Sequence, residues 1–251
     1  MTTDYQVVAP FRPFSYETGH HKALADFDWI AAIEMLGDSV KRACGRDLTV
    51  LTDIDTILPL RCLHFTTTRR RLMLWYLEIA AVFLESAAFD RDTIALDSDQ
   101  LIYKDLGRWF LPRADLGILV RKPPKNGPGY PILNGVQWWS YKAKDKLATF
   151  YREALAVAEN LPEEEIVWGA DTVALWRLLF PLAPGTIQER AGLRVNMIQA
   201  ETVLETFAFD QQEALEQGLP MRQPYRAVLD FRNLRKAYMA RAYAATLGVP
   251  A

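Results

Sequence analysis

The stretch that most constrains this chain runs from Asp92 to Phe110. Its apolar run, Ile94-Ala95-Leu96, has the length and flanks of a buried strand. The run stops at Asp97-Ser98-Asp99, and the apolar pair Leu101-Ile102 follows at once. Two carboxylates one residue apart between hydrophobic flanks are costly to desolvate unless something positive lies between them. A divalent cation, Mg²⁺ or Mn²⁺, with a diphosphate on its far side meets that demand. The architecture expected to place such a pair is a sheet with a nucleotide-sized cleft at the carboxyl ends of its strands.

The rest of the sequence can supply the core. Half of its 251 residues are hydrophobic and 24% are charged, the composition of an ordinary globular domain. A formal charge of -2 argues against a constitutive basic nucleic-acid binder, while leaving room for a local basic groove. Cys44 and Cys62 lack metal-ligand spacing and read as reduced thiols. Glu78 interrupts the apolar stretch Leu72–Leu84, so no segment reaches membrane-spanning length. No basic segment leads into an apolar run at the start, and the expected location is the cytoplasm.

In chain order, Tyr5–Ala9 reads as a buried strand ended by Pro10 and Pro13, with a loop carrying Arg12, Tyr16, Gly19, His20 and His21. Leu24–Cys44 has helical spacing and a stop at Gly45; Leu48–Leu51 and Leu63–Phe65 read as strands. Leu72, Trp75, Tyr76, Ile79, Val82 and Phe83 fall on one helical face behind Arg69-Arg70-Arg71. Beyond the Asp-Ser-Asp strand, Asp115–Val120 and Ile132–Trp139 read as strands, the second with a polar interruption at Asn134-Gly135. A helix is expected over Ala143–Ala158 and a shorter one over Thr172–Leu179. Late strands are expected at Val195–Ile198, Thr206–Phe209 and Ala227–Leu229, before a terminal helix over Ala237–Leu247. Strands alternate with helices through the first half, the signature of an α/β fold with a mainly parallel sheet; the second half is mixed.

This order of pieces resembles the GT-A glycosyltransferases, and within them the family 8-like nucleotide-sugar transferases. The resemblance implies a Rossmann-type mixed sheet flanked by helices in one compact domain. Residues 1–112 would form a nucleotide-sugar half, and residues 113–251 an acceptor half with a closing segment. It implies that Asp97 and Asp99 bind the metal that holds the donor diphosphate, with Ser98 between them. The family's Asn-(Ser/Ala)-Gly segment is matched in part by Asn134-Gly135. Its Asp-Gln pair near the reacting sugar is matched by Asp171-Thr172, with the Gln absent. Its closing His-x-x-Gly-x-x-Lys has the spacing of Asp230 to Lys236, with Asp230 in place of the metal-binding His and Asn233 in place of the Gly.

The implied partner is a nucleoside diphosphate sugar, a UDP-sugar first among them. Ala9, Pro10, Phe11 and Arg12 would hold its base and ribose, and Arg235 and Lys236 its phosphates, with Arg70 or Arg71 in reach. Asp171 and Asn134 would act at the sugar, and transfer would proceed with retention. The acceptor stays open: a glycan, a protein, a lipid or a hydroxymethylated DNA base. DNA would use the clusters at Arg121–Lys125 and Lys142–Lys146.

Each residue also has a plainer reading. Asp171 could simply N-cap the helix after it. Asp53 and Asp55 read as a turn, and His64 as a satisfied core histidine. Arg69–Arg71 is either a solvated helix start or an anion-binding one. Of Trp138 and Trp139, which alternate faces on a strand, one is expected in the core and the other free to stack on a ligand. Two other functions compete: a nucleotidyltransferase, which lacks its Gly-rich lysine-bearing loop here, and a non-catalytic nucleotide-sugar binder or scaffold.

Overall fold

The computed structural model describes residues 4–13, 27–121, 131–162, 169–231 and 233–247. Tyr16, Gly19, His20, His21, Lys122, Lys125, the Glu163-Glu164-Glu165 run, Trp168 and Arg232 lie outside the described residues. The strands in chain order are β1 (Tyr5–Pro10), β2 (Leu48–Asp53), β3 (Cys62–Phe65), β4 (Asp92–Leu96), β5 (Gln100–Ile102) and β6 (Leu116–Val120). They continue as β7 (Ile132–Trp139), β8 (Thr186–Arg190), β9 (Leu193–Gln199), β10 (Leu204–Thr206) and β11 (Val228–Asp230). The helices that shape the fold are α1 (Trp29–Cys44), α2 (Leu72–Glu85), α3 (Lys144–Glu159), α4 (Ala170–Leu179), α5 (Phe209–Glu216) and α6 (Met239–Thr246).

Eight strands form one sheet in the order β3-β2-β1-β4-β7-β6-β9-β8, drawing strands from both sides of residue 112. The first four are parallel, β7 is antiparallel to both β4 and β6, and β9 runs parallel to β6. The sheet is therefore mixed, as expected for the second half of the chain.

Strand periodicity sorts the core into two layers. Val8, Leu51, Ala95 and Trp139 face α2, α3 and α4; Val7, Ala9, Val50, Ile94 and Leu96 face α1. Helix α2 is buried nearly all round, since α3 and α4 cover the side turned away from the sheet. Its one buried acid, Glu78, accepts hydrogen bonds from the N–H groups of Thr68 and Arg69 and from the Thr68 hydroxyl. That ties down the loop entering the helix, where Arg71 at the N-cap offers no side-chain bond. Helix α1 starts at Asp28, whose carboxylate accepts from the Ala31 N–H at 2.9 Å, and ends at Gly45 with φ 65°, a left-handed cap that suits glycine.

Three expectations about elements change. A second sheet, β10-β11-β5, packs against α1 and carries the segment after Asp99. Its strands are three residues long, too short for periodicity to reveal. The strand expected over Thr206–Phe209 ends at Thr206, and Phe209 opens α5. The polar β8 strand forms a hairpin with β9 at the sheet edge.

Candidate functional site

The position of the site follows from the strand order. From β1 the chain passes through α1 to β2 on one side, and later returns through α2 to β4 on the other. The carboxyl ends of β1 and β4 thus flank the point where the order reverses, and a crevice opens there. It is a cleft of about 570 Å³. Pro10, Phe11 and Arg12 line it from the end of β1, and Asp97, Ser98, Asp99 and Gln100 from the end of β4. Arg121, Asn134, Gly135, Asp171, Thr172, Asp230 and Lys236 also line it.

Pairing places the acids. The register of β5 against β11 sets Gln100 opposite Asp230, and the Phe231 N–H donates to the Asp99 carbonyl at 3.0 Å. This holds Asp230 beside the Asp-Ser-Asp turn although 130 residues separate Asp230 from Gln100 in sequence. Gln100 Nε2 donates to Asp230 Oδ1 at 3.3 Å. Lys236 is buried, its ammonium paired with Asp99 and 4.7 Å from the centre of the Trp29 ring. The Asp97 carboxyl is pushed up to about 8, first by desolvation and then by Asp99, with Lys236 pulling it back and Asp171 and Asp230 adding to the rise. Four carboxyls, Asp97, Asp99, Asp171 and Asp230, thus share the cleft with Arg12, Arg121 and Lys236, a concentration of ionisable groups typical of functional sites.

The Asn-Gly segment reaches the cleft through a bulge. Ile118 pairs with Gln137 and Leu119 with Leu133, so Asn134-Gly135-Val136 loops away from β6. The Gly135 carbonyl accepts from the Asp97 N–H at 2.9 Å. Asn134 Nδ2 donates to Asp171 Oδ2 at 2.6 Å, while Asp171 Oδ1 is buried with no hydrogen-bond partner. Burial raises the Asp171 carboxyl pKa, and the Thr172 N–H and Asn134 amide hold part of that rise back. The cap of α4 is Gly169 at φ 92°; Asp171 lies one residue inside the helix and is not its N-cap.

Several sequence expectations are corrected. Ala9 is buried in β1 facing α1 and does not line the cleft. Arg70 and Arg71 are exposed ahead of α2, outside the lining. Arg12 takes the position near them, its guanidinium donating to the carbonyls of Arg69 and Arg70 and stacking 4.9 Å from the Trp75 ring centre. Arg235 turns away and donates to the Phe207 carbonyl at 2.7 Å. Trp138 and Trp139 are both core residues, one in each layer, so neither stacks on a ligand. His64 is exposed, with Nδ1 3.0 Å from the Asp53 carbonyl. Asp53 forms the expected turn, accepting from the Thr56 hydroxyl at 2.5 Å.

Sequence reasoning missed Trp29, Tyr76 and Gln100. Tyr76 lies on the apolar stripe of α2, yet the residue lines the cleft and its hydroxyl is buried with no hydrogen-bond partner. Gln100 is fully buried with Oε1 unpartnered. A polar residue at the start of a short apolar run was the only signal for it.

No protein-family model matches the sequence, and no curated protein matches it. Solved structures do. A glycosyltransferase involved in the glycosylation of the major capsid of PBCV-1 aligns with a TM-score of 0.56 at 11% identity, over 94% of this chain and 98% of its own. The glycosyltransferase GlyE of Streptococcus pneumoniae TIGR4 aligns with a TM-score of 0.54 at 14% identity, over 91% of this chain and 55% of its own. The fold is that of glycosyltransferases. Among the described residues, no helix of this fold is long and apolar enough to cross a membrane.

The carboxylate oxygens of Asp97 and Asp99 are the hard donors that a divalent cation such as Mg²⁺ takes. Among the described residues no three His, Cys, Asp or Glu side chains stand close enough together to hold a metal ion. Mg²⁺ commonly takes one or two carboxylates and completes its shell with water and substrate phosphate. Asp97 and Asp99 fit that pattern; Asp230 lines the same cleft with its carboxylate engaged by Gln100.

Proposed function

We propose that this protein is a metal-dependent glycosyltransferase that moves a sugar from a nucleoside diphosphate sugar, a UDP-sugar first among them, to a hydroxyl acceptor. The observation that carries the reading is one cleft, at the reversal point of a glycosyltransferase fold, that collects Asp97, Asp99, Asn134, Asp171 and Lys236. Its volume suits a nucleotide sugar.

Breaking the anomeric carbon–oxygen bond leaves a charged diphosphate, so the site must supply positive charge where that charge develops. Asp97 and Asp99 would hold a Mg²⁺ or Mn²⁺, which would supply Lewis acidity there. Lys236 is the buried cation at the same place and moves from Asp99 to the diphosphate when the donor enters, as a point charge rather than a fork. Phe11 and Arg12, after β1, hold the nucleoside end, with the Arg12 guanidinium already oriented by the Arg69 and Arg70 carbonyls. Asp171 accepts from a sugar hydroxyl through its unpartnered oxygen. Tyr76 lines the cleft too, and its buried, unpartnered hydroxyl, whose pKa desolvation and the nearby acids push upward, stays a neutral donor. Retention of anomeric configuration is the expected stereochemistry.

The test is release of nucleoside diphosphate from a panel of nucleotide sugars with Mn²⁺, with Mg²⁺ and with chelator. Metal-dependent release that Asp97→Ala removes supports the reading. Release that is indifferent to chelator and to Asp97→Ala refutes it. Binding of nucleotide sugars with no release, with or without alcohol acceptors, points to the binding protein instead.

A further inference from the structure

Behind the cleft a buried polar chain runs Trp139/Tyr151–Gln137–Asn134–Asp171, and its donors and acceptors set its direction. Trp139 Nε1 carries a hydrogen and can only donate. It lies 3.0 Å from Gln137, so the Gln137 atom facing it is the oxygen, which the Tyr151 hydroxyl also engages. The Gln137 amide nitrogen therefore faces Asn134, and the Asn134 atom receiving that bond is its oxygen. That leaves the Asn134 amide nitrogen for Asp171, to which it donates at 2.6 Å. The indole N–H is shared between Gln137 and the Tyr151 hydroxyl, 3.0 Å from each, so Trp139 and Tyr151 together orient the Gln137 amide, whose nitrogen reaches both the side-chain oxygen and the backbone carbonyl of Asn134. Gln137 is fully buried beneath the bulge and does not line the cleft.

The end of the chain is Asp171, 6% exposed and lining the cleft, with Oδ2 satisfied and Oδ1 unpartnered. A reversed Asn134 would present oxygen to oxygen, repelling the carboxylate or requiring it to take up a proton. We propose that Gln137 is a positioning residue for sugar recognition. Locked by Trp139 and Tyr151, it holds Asn134 so that Asp171 Oδ1 stands as the ionised acceptor for one hydroxyl of the bound sugar. This rests on the transferase reading and assigns a role to a residue that touches neither donor nor metal.

The experiment separates the sugar from the nucleotide. Affinities of UDP and UDP-glucose are measured by calorimetry with Mn²⁺ for the wild type, Gln137→Met, Asp171→Asn and the double variant. UDP is the internal control for fold and phosphate binding. Each single variant is expected to lower the ratio of UDP-glucose affinity to UDP affinity about tenfold, the range of one hydrogen bond to a charged group. The double variant loses no more, because both changes act on one contact. The proposal is overturned if Gln137→Met keeps the wild-type ratio while Asp171→Asn loses it, or if the two losses multiply. Should Gln137→Met not fold, Gln137→Glu at alkaline pH carries the same comparison, since its carboxylate keeps the Trp139 and Tyr151 bonds and cannot donate to Asn134. If the wild type binds neither UDP nor UDP-glucose and no other nucleotide sugar, the transferase reading fails and this inference with it. If UDP binds and only the ratio is unmoved, this inference fails alone.

Discussion

Replacing Gly135 with Ala perturbs the cleft at its tightest point. A Cβ at 135 would stand 2.4 Å from Gln100 Nε2 and 3.5 Å from Asp97 Cβ. Gln100 is fully buried, and its Nε2 is the atom that donates to Asp230. The amide must therefore move, and the bond to Asp230 is lost with it. Losing a buried hydrogen bond to a charged group costs about 1.5–3 kcal/mol, and overpacking adds about 1–3 kcal/mol. The expected destabilisation is about 3–5 kcal/mol, or roughly 10 °C in Tm for a domain of this size. Thermal and urea unfolding measure it, with an unchanged m-value expected because the surface exposed on unfolding stays the same. Gln100→Ala in the same chain removes the obstacle, so the double variant should lose less than the two singles together. A Gly135→Ala protein that melts within about 1 °C of wild type would refute the close approach. Simple additivity of the two changes would refute the assignment of the strain to Gln100.

Other outcomes follow from the same geometry. Asp171→Asn should stabilise the protein at pH 8. The Asp171 pKa is raised by burial, so ionisation costs stability as pH climbs through the folded value, while below the unfolded value both states are protonated. The gain should fade in acid, and pH-dependent melting that shows a loss at pH 8 contradicts it. Lys236→Met removes the ammonium from Asp99 and should weaken nucleoside diphosphate binding at least about tenfold by titration calorimetry. Arg235→Ala should leave that affinity unchanged, since its guanidinium serves the Phe207 carbonyl. Glu78→Ala strands the N–H groups of Thr68 and Arg69 and should cost about 2–4 kcal/mol in urea unfolding.

The parts of the fold legible in sequence were those with long, regular patterns. Helix α2 announced itself through its apolar spacing, and β4 through a short apolar run ended by two acids. The Asp-Ser-Asp turn, Asn134-Gly135, Asp171, Asp230 and Lys236 do meet in one cleft. Side-chain direction was less legible. Arg12, Arg70, Arg71 and Arg235 look alike as charges, yet Arg12 alone of the four lines the cleft. Which way each points depends on carbonyls that only the folded chain brings near, such as those of Phe207 and Arg69. Trp138 and Trp139 were split between core and ligand because a strand has two faces; here both faces are covered by helices or by the second sheet. Tyr76 gave no warning on its apolar stripe, and Gln100 only the faint one of a polar residue opening a three-residue strand.

The most direct test of the central claim is the thermal shift produced by nucleotide sugars with and without Mn²⁺. A ligand that binds only the native state raises Tm, by an amount that grows with the logarithm of its concentration relative to its Kd. The expected result is a shift with at least one nucleotide sugar that needs Mn²⁺ and disappears in Asp97→Ala and in Asp99→Ala. No shift with any nucleotide sugar, or a metal-dependent shift that survives both substitutions, contradicts the assignment of this cleft to a metal-bound donor.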